Sequence, residues 1–208
     1  MQEHLIRYRW GLRRMSAFNT NELSIRDGSC KDVADLNQQI WSYIHQSATS
    51  GSLENLRAFK FHSREISRLS ELSFQTIMNL SDSIVLHFRG TINQNEARSC
   101  LKSMTTKGNG ELTQIQEFAY RYFMQAKLCT HKYGAGVARL RYGLSTQEIE
   151  FLINISETQL RYLVRNTSSG KLLLRFDPQI VNGIGVTDYF IEALSRIQLQ
   201  CLNSAVEL

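Results

Sequence analysis

The chain has 208 residues, 42% of them hydrophobic and 21% charged, with a formal net charge of +5 from 24 basic and 19 acidic residues. That length holds one large or two small domains around a real core, and the composition is neither that of a disordered chain nor that of a membrane protein. No apolar run approaches the roughly 20 residues of a spanning helix, and the positive balance fits a polyanionic partner without requiring one.

In chain order, Leu5, Tyr8, Leu12 and Met15 recur at helical spacing while Arg7, Arg9, Arg13 and Arg14 fill the positions between. This predicts a basic amphipathic helix, with three readings: a solvated face on a docked helix, a phosphate-contacting arm using Arg7, Arg13 and Arg14, or a membrane-surface helix. The start, Met1-Gln2-Glu3-His4, lacks the apolar segment of a secretory signal, so a cytoplasmic location is expected. Residues 16–32 are rich in Ser, Asn, Asp and Gly and read as a linker, giving a first segment of residues 1–32.

Val33, Leu36, Ile40, Tyr43 and Ile44 mark a helix from 33 to 46, ended by the polar run 47–52. Then comes a segment, 65–80, that is restated at 148–163 with a constant offset of 83 residues. Ile66, Leu69, Leu72, Ile77 and Leu80 fall on Ile149, Leu152, Ile155, Leu160 and Leu163, and Ser73 falls on Ser156. An apolar tail follows each copy, Val85-Leu86-His87-Phe88 and Leu173-Leu174-Arg175-Phe176. A long helix over 112–128 precedes the second copy as 33–46 precedes the first. The polar run 102–110 ends in glycines and separates the modules, 33–106 and 107–208. Repeats of this kind fix architecture, so the expectation is a mainly α protein of two related helical modules, with possible short β segments after each. A single proline, Pro178, leaves most of the chain without the strongest helix breaker. A last helix is expected from about Thr187, with Phe190, Leu194, Ile197 and Cys201 inward.

Each copy has the layout of a helix-turn-helix. In the second, Ser145 with Glu148 forms a capping box, Ile149, Leu152 and Ile153 point inward, Asn154-Ile155 turns the chain, Ser156 caps the next helix, and Leu160 and Leu163 close the corner. Thr158, Arg161, Tyr162 and Arg165 are left outward, the residue types that contact phosphates and base edges. In the first copy Ser63 and Ser73 are the expected caps, and the outward set, Gln75, Met78 and Asn79, has no charge. The competing reading is an ordinary αα-hairpin in a bundle.

The run Arg141-Tyr142-Gly143-Leu144-Ser145-Thr146-Gln147-Glu148-Ile149, with Leu152, Ile155, Gln159-Leu160, Leu163 and Leu174-Arg175-Phe176-Asp177, resembles the central segment of FlhD, of the FlhDC family of bacterial transcriptional activators. The first copy, with Phe59-Lys60-Phe61 before it and Leu86-His87-Phe88-Arg89 after it, is similar to the same segment. The resemblance implies a mainly helical subunit of a heteromeric activator that binds double-stranded DNA beside an FlhC-like or FlhD-like partner and RNA polymerase. It further implies control of flagellar genes or, as in mobile-element relatives, conjugative-transfer genes. A homo- or hetero-oligomer is expected.

Against this, the chain lacks the cysteine cluster of FlhC, so zinc is not carried over. Cys30, Cys100, Cys129 and Cys201 are widely spaced and read as reduced, largely buried thiols, and Cys129 with His131 supplies only two of the ligands a metal needs. No converging nucleophile, base or carboxylate pair has recognisable spacing, and Gly134-Ala135-Gly136 and Gly183-Ile184-Gly185 lack the remainder of a nucleotide-binding turn. The sequence therefore predicts no enzyme, no cofactor and no membrane association. The alternative to a DNA-binding subunit is a structural or regulatory interaction subunit of such a complex that does not touch DNA.

Overall fold

The computed structural model describes residues 29–104, 110–184 and 190–206. The fold is mainly helical. Helix α1 (Ser29–Thr49) is followed by a short α2 (Leu53–Arg57), the pair α3 (Ser63–Glu71) and α4 (Phe74–Ser81), strand β1 (Phe88–Gly90) and α5 (Gln94–Lys102). The second half begins with α6 (Gln114–Tyr133) and α7 (Ala135–Tyr142) and continues with the pair α8 (Thr146–Ile153) and α9 (Glu157–Asn166). A 3-10 turn, strand β2 (Leu172–Leu174), a second 3-10 segment (Pro178–Gly183) and α10 (Phe190–Val206) complete it. Among the described residues no helix is long and apolar enough to cross a membrane.

The repeat is visible as the same order of elements in both halves, a long helix, a short one, then a capped corner. In the second corner the Ser145 hydroxyl accepts from the Glu148 N–H while the Glu148 carboxylate accepts from the Ser145 N–H at 2.8 Å. Ser156 and Gln159 repeat that reciprocal arrangement at the start of α9. Ser73 accepts from the Thr76 N–H in the first corner. The first cap there is His62, not Ser63: His62 has extended backbone (φ −95°, ψ 174°) and its N–H donates to Glu65, which leaves Ser63 inside the helix. The residues expected to close the corners do so, Leu69, Ile77, Leu80, Leu152, Leu160 and Leu163 being buried, whereas Ile66 and Ile153 are half-buried.

The apolar tails form the seam between the halves. Strands β1 and β2 pair antiparallel with Phe88 opposite Leu174, Arg89 opposite Leu173 and Gly90 opposite Leu172. One step further the Arg175 N–H donates to the His87 carbonyl at 2.9 Å, so equivalent positions of the two tails meet in a local two-fold relation. The reciprocal bond of that pair is replaced, because the His87 N–H donates to the Asn37 side chain at 2.9 Å, while the Leu86 N–H, on the other side of the tail, donates to the Arg141 carbonyl at 2.8 Å. Asn37 on α1 fastens the first tail, donating to the Val85 carbonyl and accepting from the His87 N–H. Gly90 is required here: a Cβ would lie 2.7 Å from the Phe123 ring.

Both halves share one continuous core. Trp41 of α1 packs against Phe61, Phe88 and Phe176, the last from the second tail at 6.0 Å between centroids, and Tyr43 meets Phe118 of α6. Each fully buried aromatic or aliphatic side chain of this cluster contributes on the order of 1.5–3 kcal/mol. Two polar clasps cross the seam reciprocally. Glu148 of the second module takes Arg89 and the Ile92 N–H, just beyond β1. Glu65, its equivalent in the first module, takes Asn182, beyond β2.

Candidate nucleic-acid interface

Helix α9 is the element on which the outward set was placed. Its inward side, Leu160, Leu163 and Val164, is buried, and the three residues Asn154-Ile155-Ser156 separate it from α8. Ile155 anchors that turn in the core, and Lys127 of α6 donates to its carbonyl. At the other end, Glu96 of α5 accepts from the Ser168 N–H at 2.9 Å. The helix is thus held at its turn and beyond its end by groups on two neighbouring helices.

Thr158, Arg161 and Arg165 are exposed along the opposite side, and Tyr162 is half-buried among them. The Arg161 guanidinium lies 5.6 Å from the Tyr120 ring centroid. Stacking on an aromatic face directs a guanidinium while leaving its N–H groups free to meet an oxyanion. The Tyr120 hydroxyl donates to Glu157, the first residue of α9, and burial together with that hydrogen bond pushes its pKa up to about 12. Arg165 passes its guanidinium over Gly110, where a Cβ would lie 2.2 Å from it, and Gln116 donates to the Arg165 carbonyl. The face therefore carries two cations, a hydroxyl and a phenol, with one carboxylate, Glu157, at its start.

The corresponding face of α4 is different in kind. Gln75 and Asn79 are exposed and linked by a side-chain hydrogen bond at 2.9 Å, Met78 is half-buried, and Phe74, at the place of Glu157, is 56% exposed. Glu150 of α8 is exposed. Arg7, Arg13 and Arg14 lie outside the described residues. Cys129 is buried and His131 exposed on the same helix, so the pair does not converge. Cys201 is buried, its thiol pushed up to about 12 by desolvation, and Cys100 is partly exposed.

Tyr120 and Lys127, which orient Arg161 and hold the turn, were missed from sequence. Both lie beside the buried stripe of α6, and nothing in their spacing distinguishes them from other partly exposed positions of that helix. No protein-family model, curated protein or solved structure matches the chain.

Proposed function

We propose that this chain is a DNA-binding transcriptional activator subunit of FlhDC type, working in the cytoplasm with an FlhC-like or FlhD-like partner subunit and RNA polymerase to switch on flagellar or conjugative-transfer genes. The observation that carries the reading is the capped α8–α9 corner with Thr158, Arg161, Tyr162 and Arg165 along one side of its second helix. In that reading Arg161 and Arg165 meet phosphates and fix the register, and Thr158 and Tyr162 approach base edges. The role is binding, not catalysis. Fluorescence anisotropy with duplex DNA, for the chain alone and with its partner, tests it. Affinity that falls steeply with salt supports it, and no duplex binding in either state removes it.

The α4 face favours a second reading. An uncharged surface with Phe74 exposed has the chemistry of a protein contact, so the chain acts as an interaction subunit while another polypeptide touches DNA. Promoter binding by the complex that is unchanged after charge reversal at Arg161 and Arg165 selects this second reading.

A further inference from the structure

Lys60 is the one non-glycine among the described residues with positive φ, at 64°. Its counterpart in the repeat, 83 residues on, is Gly143 with φ 67°. The backbone of the two modules is therefore the same at this point and the side chain is not. Glycine is the residue this conformation favours, and at Gly143 it is also needed for space, since a Cβ would lie 2.7 Å from the Arg175 guanidinium. The first module carries a lysine against that preference. A strained residue kept where a simpler one fits points to a role for its side chain.

Lys60 lines a cleft of about 720 Å³ beside Arg57, His62, Ser63 and Ser67, with Ile66 in its wall. No carboxylate among the described residues lines it, and neither Arg57 nor Lys60 is in an ion pair among those residues. The second module builds the same corner with Leu140, Gly143, Ser145 and Glu150 where the first has Arg57, Lys60, His62 and Ser67. The fold thus does not need these cations. A planar guanidinium and an ammonium with two hydroxyls nearby match the several oxygens of a phosphate, and a cleft of this volume takes a ligand of nucleotide size.

We propose that this cleft binds a nucleoside monophosphate, its phosphate held by Arg57 and Lys60 and its apolar part against Ile66. The site lies on the first module and does not depend on the DNA reading of α9. The test is titration of the full chain with each of the four nucleoside 5′-monophosphates at fixed ionic strength, followed by calorimetry and thermal unfolding, with the nucleosides as controls. At least one monophosphate binds saturably and raises Tm by about 5 °C or more at roughly a hundredfold excess over Kd, and its nucleoside does not. Arg57→Gln and Lys60→Gly each weaken binding by about tenfold or more. Lys60→Gly does so with the Tm of the free protein unchanged or raised, because glycine adopts this backbone readily, so the loss is not unfolding. The proposal is overturned by no saturable binding of any monophosphate, or by binding undiminished in both variants. It is equally overturned if the variants weaken duplex DNA binding and leave monophosphate binding intact, which assigns the cleft to a DNA backbone.

Discussion

His87 and Arg175 occupy the same place in the two copies of the repeat and meet at the seam, the Arg175 N–H donating to the His87 carbonyl at 2.9 Å. Their side chains solve burial in opposite ways. His87 accepts a hydrogen bond from the Trp41 indole at 3.0 Å and is held neutral, burial and the Arg175 charge driving its pKa down to about 3. Arg175 keeps its charge among carbonyls, donating to Leu86, Leu140, Arg141 and Cys201 and to the Ser204 hydroxyl. One guanidinium thereby ties the first tail, the end of α7 and the helix α10 together.

Removal of that guanidinium takes a charged donor from the carbonyls of Leu86, Leu140, Arg141 and Cys201 at once, of which Arg141 keeps the Leu86 N–H and Cys201 the Ser204 hydroxyl. Arg175→Met is expected to lower stability by about 3 kcal/mol or more in urea unfolding, with Arg175→Lys intermediate because an ammonium keeps charge but not the fork. A loss under about 1 kcal/mol for the methionine variant contradicts this role.

His87 makes stability depend on pH. Its folded pKa, about 3, lies below the unfolded value of 6.5, so the unfolded chain binds the extra proton between them. Its contribution is fully present above pH 6.5 and is lost as pH falls toward 3, with a slope approaching about 1.4 kcal/mol per pH unit. Denaturant melts from pH 7.5 to 4.5 should show this decline, and His87→Gln should flatten it. An unchanged slope in the variant assigns the effect to other groups.

Glu65 and Glu148 are equivalent caps with unequal duties. Glu148 serves the Ser145 N–H and hydroxyl, the Ile92 N–H and Arg89, while Glu65 serves the His62 N–H and Asn182. Glu148→Gln is expected to cost about 2–3 kcal/mol and Glu65→Gln about 1 kcal/mol. A double-mutant cycle with Arg89→Met should give coupling to Glu148 and none to Glu65. Equal losses at the two glutamates contradict the asymmetry.

The corners were legible because their signals are local. Ser145 caps as its spacing to Glu148 predicts, and Ser156 and Ser73 cap as expected, with Gln159 and Thr76 as the partners the structure supplies. His62 escaped notice because histidine is not a usual cap and Ser63 beside it is. The sequence does not separate strand from extended helix end for the tails 84–88 and 172–176, since a five-residue apolar run fits either. Their pairing depends on residues 82 to 86 positions apart, Phe88 against Leu174 and Gly90 against Leu172. Helices α2, α5 and α7 were missed: each is short, and α7 lies just beyond Gly134, where Gly134-Ala135-Gly136 reads as a loop. Arg161 and Arg165 are on the exposed side as their spacing requires, but the Tyr120 ring beneath Arg161 comes from a distant helix and leaves no local trace.

The most direct measurement of the proposed activity is duplex DNA affinity as a function of salt for the wild type and for Arg161→Glu with Arg165→Glu, each with its partner subunit. If the α9 face meets the backbone at these two arginines, log K falls linearly with log salt. The double variant then binds at least tenfold more weakly, with the slope shallower by about 2. Identical curves for the two proteins contradict the assignment of α9 to DNA.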